Sequence, residues 1–236
     1  MTLDTTPIDT STSIADRLRM VQQRIRAAEA RYGRHPGSVK LLAVSKMQGA
    51  AAIRAAHLAG QQAFGENYVQ EALAKRAELA DLPLEWHFIG QIQANKTRQI
   101  AENFCWVHGL DDPHHAERLS HQRPPPLPAL KVCLQINLSG EATKGGVRAE
   151  DAAALLAACR ELPRLQVVGL MVLPAPALNE AAQRQPFRQL RLLRDQIATH
   201  ARPLPELSMG MSDDMEAAIA EGATLVRIGT AIFGPR

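Results

Sequence analysis

Lys46 closes the apolar run Leu41-Leu-Ala-Val44. An amine rooted at the end of a buried segment is partly desolvated, which favours its neutral, nucleophilic form. Such an amine can condense with an aldehyde. A lysine at a strand end can also simply snorkel to water, and the residue alone does not decide between these. A second group lies near the C-terminus. Ser208-Met-Gly-Met-Ser212 leads into a helix that we expect Asp213 to open, with Glu216 as its capping-box partner. Gly229-Thr230 follows another apolar run. Hydroxyls of Ser208, Ser212 and Thr230, with backbone near Gly210 and Gly229, are suitable donors to a phosphate. Asp213 and Asp214 would repel an anion at that helix start, so either they point away or the phosphate lies nearer Gly229. Arg227 lies inside Leu225-Val-Arg-Ile228 and needs a partner once buried. That partner is either structural, for example Glu66, or a ligand. An aldehyde-capturing lysine, a phosphate site and an arginine between them describe one cofactor, pyridoxal 5′-phosphate.

The elements that must position these residues alternate along the chain. Strands are predicted at Lys40–Lys46, Gln62–Gly65, Trp86–Gly90, Cys105–Leu110, Val132–Asn137, Val167–Val172, Glu206–Met209 and Leu225–Ile228. Between them, helical spacing predicts Ala50–Ala59, Tyr68–Ala80, Ala94–Glu102, Pro113–His121, Ala149–Glu161, Glu180–His200 and Asp213–Glu221. The strands read apolar on both faces, as parallel strands under helices do. Eight such units predict an α/β fold: a single parallel (β/α)8 TIM-type barrel, rather than a doubly wound open sheet. Too few residues follow the eighth strand for an eighth helix. The leading helix from Ser13, with Ile14, Leu18, Val21, Ile25 and Ala28 in one stripe, is expected to cover that gap. In a barrel the C-terminal strand ends carry the chemistry. Lys46, Asn67, His87, Met171, Ser208 and Arg227 all fall at or near such ends.

Composition narrows the function classes. The chain of 236 residues is 46% hydrophobic and 22% charged, which is globular and neither disordered nor collagenous. A net charge of +3, scattered, and an aromatic content of 4% do not make a nucleic-acid surface, and no partner nucleic acid or membrane is expected. The longest unbroken apolar stretch is too short to span a bilayer. Cys105, Cys133 and Cys159 cannot all pair, and none sits in a CxxC, so a reducing, cytoplasmic setting is expected. Residues 1–12 show no secretory pattern and read as a disordered tail ahead of one domain at 13–236. His114-His115 do not share a helix face, so no metal site is expected.

Several longer segments carry a family resemblance. They are Leu42-Ala-Val-Ser-Lys46, Phe64-Gly-Glu-Asn-Tyr68-Val-Gln-Glu71, Trp86-His-Phe-Ile-Gly90, Asn95-Lys96, Gly169-Leu-Met171, Leu207-Ser-Met-Gly-Met-Ser-Asp-Asp-Met215 and Val226-Arg-Ile-Gly-Thr-Ala-Ile-Phe-Gly234. Together, from about Ser13 to Arg236, the chain resembles the pyridoxal phosphate homeostasis proteins, whose barrel is similar to the N-terminal domain of alanine racemase, fold-type III among pyridoxal phosphate proteins. The resemblance implies Lys46 as the Schiff-base residue holding an internal aldimine. It implies Ser208, Ser212, Gly229 and Thr230 at the phosphate, with Gly210 allowing close approach. Asn67 and His87 would line the ring, Arg227 would face the pyridine nitrogen, and Met171 would pack near it. An arginine cannot surrender its proton, so the ring nitrogen stays unprotonated and the cofactor is a weaker electron sink.

The sequence departs from the family where Met47-Gln48-Gly49 replaces a second lysine and a proline. Lys144 keeps a family-like position and is the remaining candidate for a second lysine that handles cofactor. The expected role is intracellular storage, delivery or buffering of pyridoxal phosphate by a monomer, with transient contact with apoenzymes that need it. The alternative is a weak racemase or lyase on a small amino acid. A two-base racemase needs a second proton-transfer group. Tyr32 is expected on the outer helix, which leaves Tyr68 as the tyrosine near a strand end.

Overall fold

The computed structural model describes residues 12–139 and 145–234. The expectations for the N-terminal tail (apart from Thr12) and for Lys144 lie outside these residues. Among these described residues nine strands run in chain order: β1 (Lys40–Val44), β2 (Ala63–Glu66), β3 (Glu85–Phe88), β4 (Trp106–Leu110), β5 (Leu130–Asn137), β6 (Val147–Arg148), β7 (Leu165–Met171), β8 (Glu206–Ser208) and β9 (Leu225–Ile228). All pairings between them are parallel. The order β4-β3-β2-β1-β9-β8-β7-β5 closes through a β4–β5 pairing, so eight strands form a barrel and β6 adds to the rim beside β5. This is the predicted barrel. The two-residue β6 is too short for any periodicity to announce it.

Alternation along each strand sorts side chains into two layers. Trp106, Cys133, Val168 and Met171 pack together inside the barrel. Phe64, Trp86, Phe88, Val107, Val226 and Ile228 belong to the larger core between strands and helices. The helices of that outer layer are α1 (Ile14–Arg31), α2 (Ala50–Leu58), α3 (Val69–Glu78), α4 (Thr97–Asn103), α5 (Pro113–Gln122), α6 (Ala152–Arg160), α7 (Glu180–Ile197), α8 (Met215–Ala220) and the single turn α9 (Thr230–Phe233).

Helix α1 starts at Ser13, whose hydroxyl accepts from Asp16 N. Its buried stripe is Leu18, Val21, Ile25 and Ala28. It packs against α2, α8 and α9, so it fills the slot an eighth outer helix would occupy. At its far end the buried Glu29 carboxylate accepts from the backbone N–H of Gly37 and Val39, which fixes the chain entering β1.

Two local expectations are corrected. Helix α8 begins at Met215 rather than Asp213, and the side chain of its N-cap, Asp214, makes no capping bond to the helix backbone. Glu216, the expected capping partner, instead takes Arg24 of α1 at 2.9 Å, while Asp214 Oδ1 accepts from Met211 N at 2.6 Å. Arg227 does not pair with Glu66. Glu66 shares the outward face of β2 with Phe64, whereas Arg227 points into the barrel, so the strand pleat separates them.

Candidate functional site

The strands end at one mouth, where a cavity of about 330 Å3 is lined by Val44, Lys46, Asn67, Ile89, Met171, Leu173, Met211, Ser212, Asp213, Arg227, Gly229 and Thr230. Seven of the ten expected residues therefore meet here, drawn from a stretch of chain that runs from Lys46 to Thr230. Lys46 lies two residues past β1 and is half-buried. Its backbone is held on both sides. Ser45 N donates to Gly65 O at 3.0 Å, and Met47 N donates to Glu71 Oε1. Met47 adopts φ 63°, a left-handed turn unusual for a side chain of its size, which redirects the chain just after Lys46.

A buried ion cluster supports this corner. Lys75 Nζ of α3 donates to Ser45 O at 2.7 Å, Glu66 Oε1 at 2.8 Å and Glu71 Oε1 at 2.6 Å. Ser45 Oγ donates to Glu66 Oε1 at 2.6 Å. Burial raises the Glu66 pKa above its ordinary value, while Lys75 and Ser45 oppose that rise. Sequence reasoning missed Ser45, Lys75 and Glu71 as supports. The available signal was the Glu71–Lys75 spacing of four on one helix face.

At the opposite wall Ser212 and Thr230 carry hydroxyls, and Gly229 brings backbone close. A Cβ on Gly229 would lie 3.1 Å from Val44 O. Gly210 has φ +96°, and a Cβ there would come within 2.6 Å of Ala218 Cβ. Its role is to turn the β8–α8 loop tightly, and it does not itself line the cavity. Asp213 is exposed at the rim, and Asp214 is tied back to Met211. The anion-compatible part of the wall is therefore the Ser212–Gly229–Thr230 side.

Ser208 and His87 do not line the cavity. Ser208 is fully buried beneath its floor, where Oγ accepts from Arg227 Nη1 at 2.7 Å and lies 2.7 Å from His108 Nδ1. His87 is buried one layer deeper, with Nδ1 2.9 Å from His108 Nε2 and its ring stacked on Trp106. His108 was not expected at all. Its signal was its spacing of two from Trp106, which puts both on the barrel's inner face. Arg227 reaches the cavity from this floor, with Nη2 donating to Val172 O at 2.9 Å. Burial lowers its pKa to about 10, which leaves it a cation at neutral pH.

Residues 17–236 match the family described as the N-terminal domain of alanine racemase. The pyridoxal phosphate homeostasis protein of Pseudomonas aeruginosa is 58% identical over 224 residues, covering 95% of this chain and 96% of that protein. The chain belongs to the pyridoxal phosphate homeostasis protein family. The family member of Escherichia coli strain K12 is 49% identical over 226 residues, 94% of this chain and 97% of its own length. Among solved structures, PipY of Synechococcus elongatus without pyridoxal phosphate superposes with a TM-score of 0.84 at 43% identity, covering 94% of this chain and 100% of PipY. PipY with pyridoxal phosphate bound gives 0.81 at 42% identity, with the same coverage. Family membership accounts for the barrel and its leading helix, which this chain shares along nearly its whole length.

Proposed function

We propose that this protein binds pyridoxal 5′-phosphate at the barrel mouth and acts in its homeostasis, storing, delivering or buffering the cofactor, with effects on amino-acid and keto-acid balance. One observation carries the reading: a single cavity gathers a lysine amine, two hydroxyls beside a glycine, and a buried arginine. The residues fit the group on a further count. Among the described residues Asn67 Oδ1 is buried without a hydrogen-bond partner and belongs to a cavity-lining side chain, so an acceptor is available to a polar ring substituent. Val44, Ile89 and Met171 supply apolar wall for a flat ring.

Bound pyridoxal phosphate supplies an aldehyde that condenses with a primary amine. Lys46 would present that amine, fixed by Ser45 and Met47 on either side. Ser212, Thr230 and the backbone of Gly229 would hold the phosphate. Arg227 would donate to the ring nitrogen and, being only a donor, keeps that atom an acceptor. Asn67 and Met171 would contact the ring. Ser208, His87 and Gly210 would act from beneath, by holding Arg227 and the loop. Tyr32 lies on the outer surface, where its hydroxyl donates to Glu180 at 3.0 Å, so it cannot serve as a proton donor at the mouth. Tyr68 is exposed near the mouth and is the tyrosine to test.

We place the protein as a monomer in the cytoplasm that contacts cofactor-requiring apoenzymes transiently. Among the described residues, no helix is long and apolar enough to cross a membrane. The deciding experiment is borohydride reduction of the cofactor-loaded protein followed by peptide mass mapping. A pyridoxyl adduct on Lys46, and its loss in Lys46→Ala, is the expected result. An adduct elsewhere, or none, overturns the reading. Exchange of amino-acid α-protons that disappears in Lys46→Ala would replace the carrier role with the enzymatic one.

A further inference from the structure

The interior of a parallel barrel is ordinarily a packed apolar core. Here a line of polar groups runs along it, from Arg227 under the cavity to Glu85, the first residue of β3, at the opposite end. Arg227 Nη1 donates to Ser208 Oγ at 2.7 Å. Ser208 Oγ lies 2.7 Å from His108 Nδ1, and His108 Nε2 lies 2.9 Å from His87 Nδ1. His87 Nε2 has no hydrogen-bond partner among the described residues, and Glu85 Oε1 stands 3.5 Å from it.

Hydrogen bookkeeping orients this line. Arg227 can only donate, so Ser208 accepts and has one proton to give. If that proton goes to His108 Nδ1, His108 carries its own on Nε2 and gives it to His87 Nδ1. His87 then carries its proton on Nε2, facing the carboxylate. The reverse order leaves the Ser208 proton unspent and sets an imidazole lone pair against Glu85. The carboxylate therefore selects one tautomer on both rings.

The surroundings agree. Trp106 Nε1 donates to the same Oε1 at 2.7 Å, and Lys40 and Lys131 sit over the Trp106 ring. These cations and Arg227 disfavour a charged imidazole. Burial lowers the pKa of His87 and, more strongly, that of His108. Interaction with His87 lowers the pKa of Glu85 to about 2.

We propose that His108 and His87 are positioning residues, forming with Ser208 a one-way hydrogen-bond chain that runs from Arg227 at the cavity to His87, whose Nε2 faces the Glu85 carboxylate at the far end of the barrel. The chain holds the guanidinium in one orientation with its remaining donors free for the site. Its effect on a bound pyridine rests on the function proposed above, but the chain itself does not.

Long-range proton–nitrogen NMR correlation on the full chain, without added cofactor, reads the tautomers directly. Both rings are expected neutral and protonated on Nε2. Glu85→Gln keeps Oε1 as an acceptor and retains that state, whereas Glu85→Leu moves His87 towards the Nδ1-protonated form. With pyridoxal phosphate added, His108→Phe is expected to shift the absorption band of the bound cofactor and weaken binding about tenfold. An Nδ1-protonated or charged ring in the unsubstituted protein overturns the proposal. So does a folded His108→Phe with unaltered band and affinity. Should His108→Phe fail to fold, the tautomer response to Glu85→Leu decides, because the Glu85 side chain is 44% exposed and its removal leaves the core intact. Should the protein take up no pyridoxal phosphate, the proposed function fails while the NMR spectra still decide the chain.

Discussion

Lys75 is 6% exposed and makes three charge-assisted bonds on the outer side of the barrel wall. A buried ion pair contributes little over a well-packed apolar pair, but losing one partner strands the other. Lys75→Met is therefore expected to cost about 3–5 kcal/mol in urea unfolding. The sign of its pH dependence follows from Glu66. Its folded pKa is raised above the ordinary 4.5, so its contribution is complete below that value and is lost as pH rises through the folded one. Removing Lys75 raises the folded pKa further. The deficit of the variant should thus grow from acid to neutral pH, and a deficit that shrinks would show that Glu66 is not the stranded partner. Lys46 was legible at this scale because a lysine after an apolar run is conspicuous in one dimension. Lys75 was not, because an exposed and a buried i, i+4 pair read alike in sequence.

Helix α1 supplies what the end of the barrel lacks. Its stripe was legible from its spacing alone, and its place followed from counting strands against helices. Ile25 is 2% exposed in the contact with the wall. Ile25→Ala should lower unfolding free energy by about 2–5 kcal/mol, from lost transfer energy and the cavity left behind. A loss under about 1 kcal/mol in urea titration would mean that α1 is not integral to the barrel. The start of α8 shows the converse. Asp213 and Glu216 have capping-box spacing, yet the arginine of α1 that claims Glu216 lies 192 residues away. A local bond to backbone was outcompeted by a charged partner that only the closed barrel brings near.

For the whole molecule, a ligand bound only by the folded chain must stabilise it. At a hundredfold excess over Kd, pyridoxal phosphate should add about 2.7 kcal/mol, seen as a higher thermal midpoint. Pyridoxal, which lacks the phosphate, should give a much smaller shift. Ser212→Ala combined with Thr230→Ala should remove most of the difference between the two ligands. Equal shifts for both would show that these hydroxyls do not hold the anionic end. Sedimentation tests the proposed monomeric state directly. Of the large apolar side chains left exposed, Met20, Leu58 and Leu192 belong to three separate helices.

The order of residues by itself determined the alternating elements, the eight-stranded closure and, to within about two residues, where each barrel strand ends, because strand and helix periodicity and turn chemistry act over a few neighbours. It also determined that a lysine, hydroxyls and an arginine fall at strand ends, where a barrel collects them. Only the tertiary structure decided depth and facing. It set Glu66 behind the wall with Lys75, placed Ser208 and His87 under the floor, and joined His108 to both. Those outcomes depend on which side of the pleat each residue takes and on the register in which distant strands pair. Neither is a property of any short stretch of chain, since both are fixed by closing the sheet on itself.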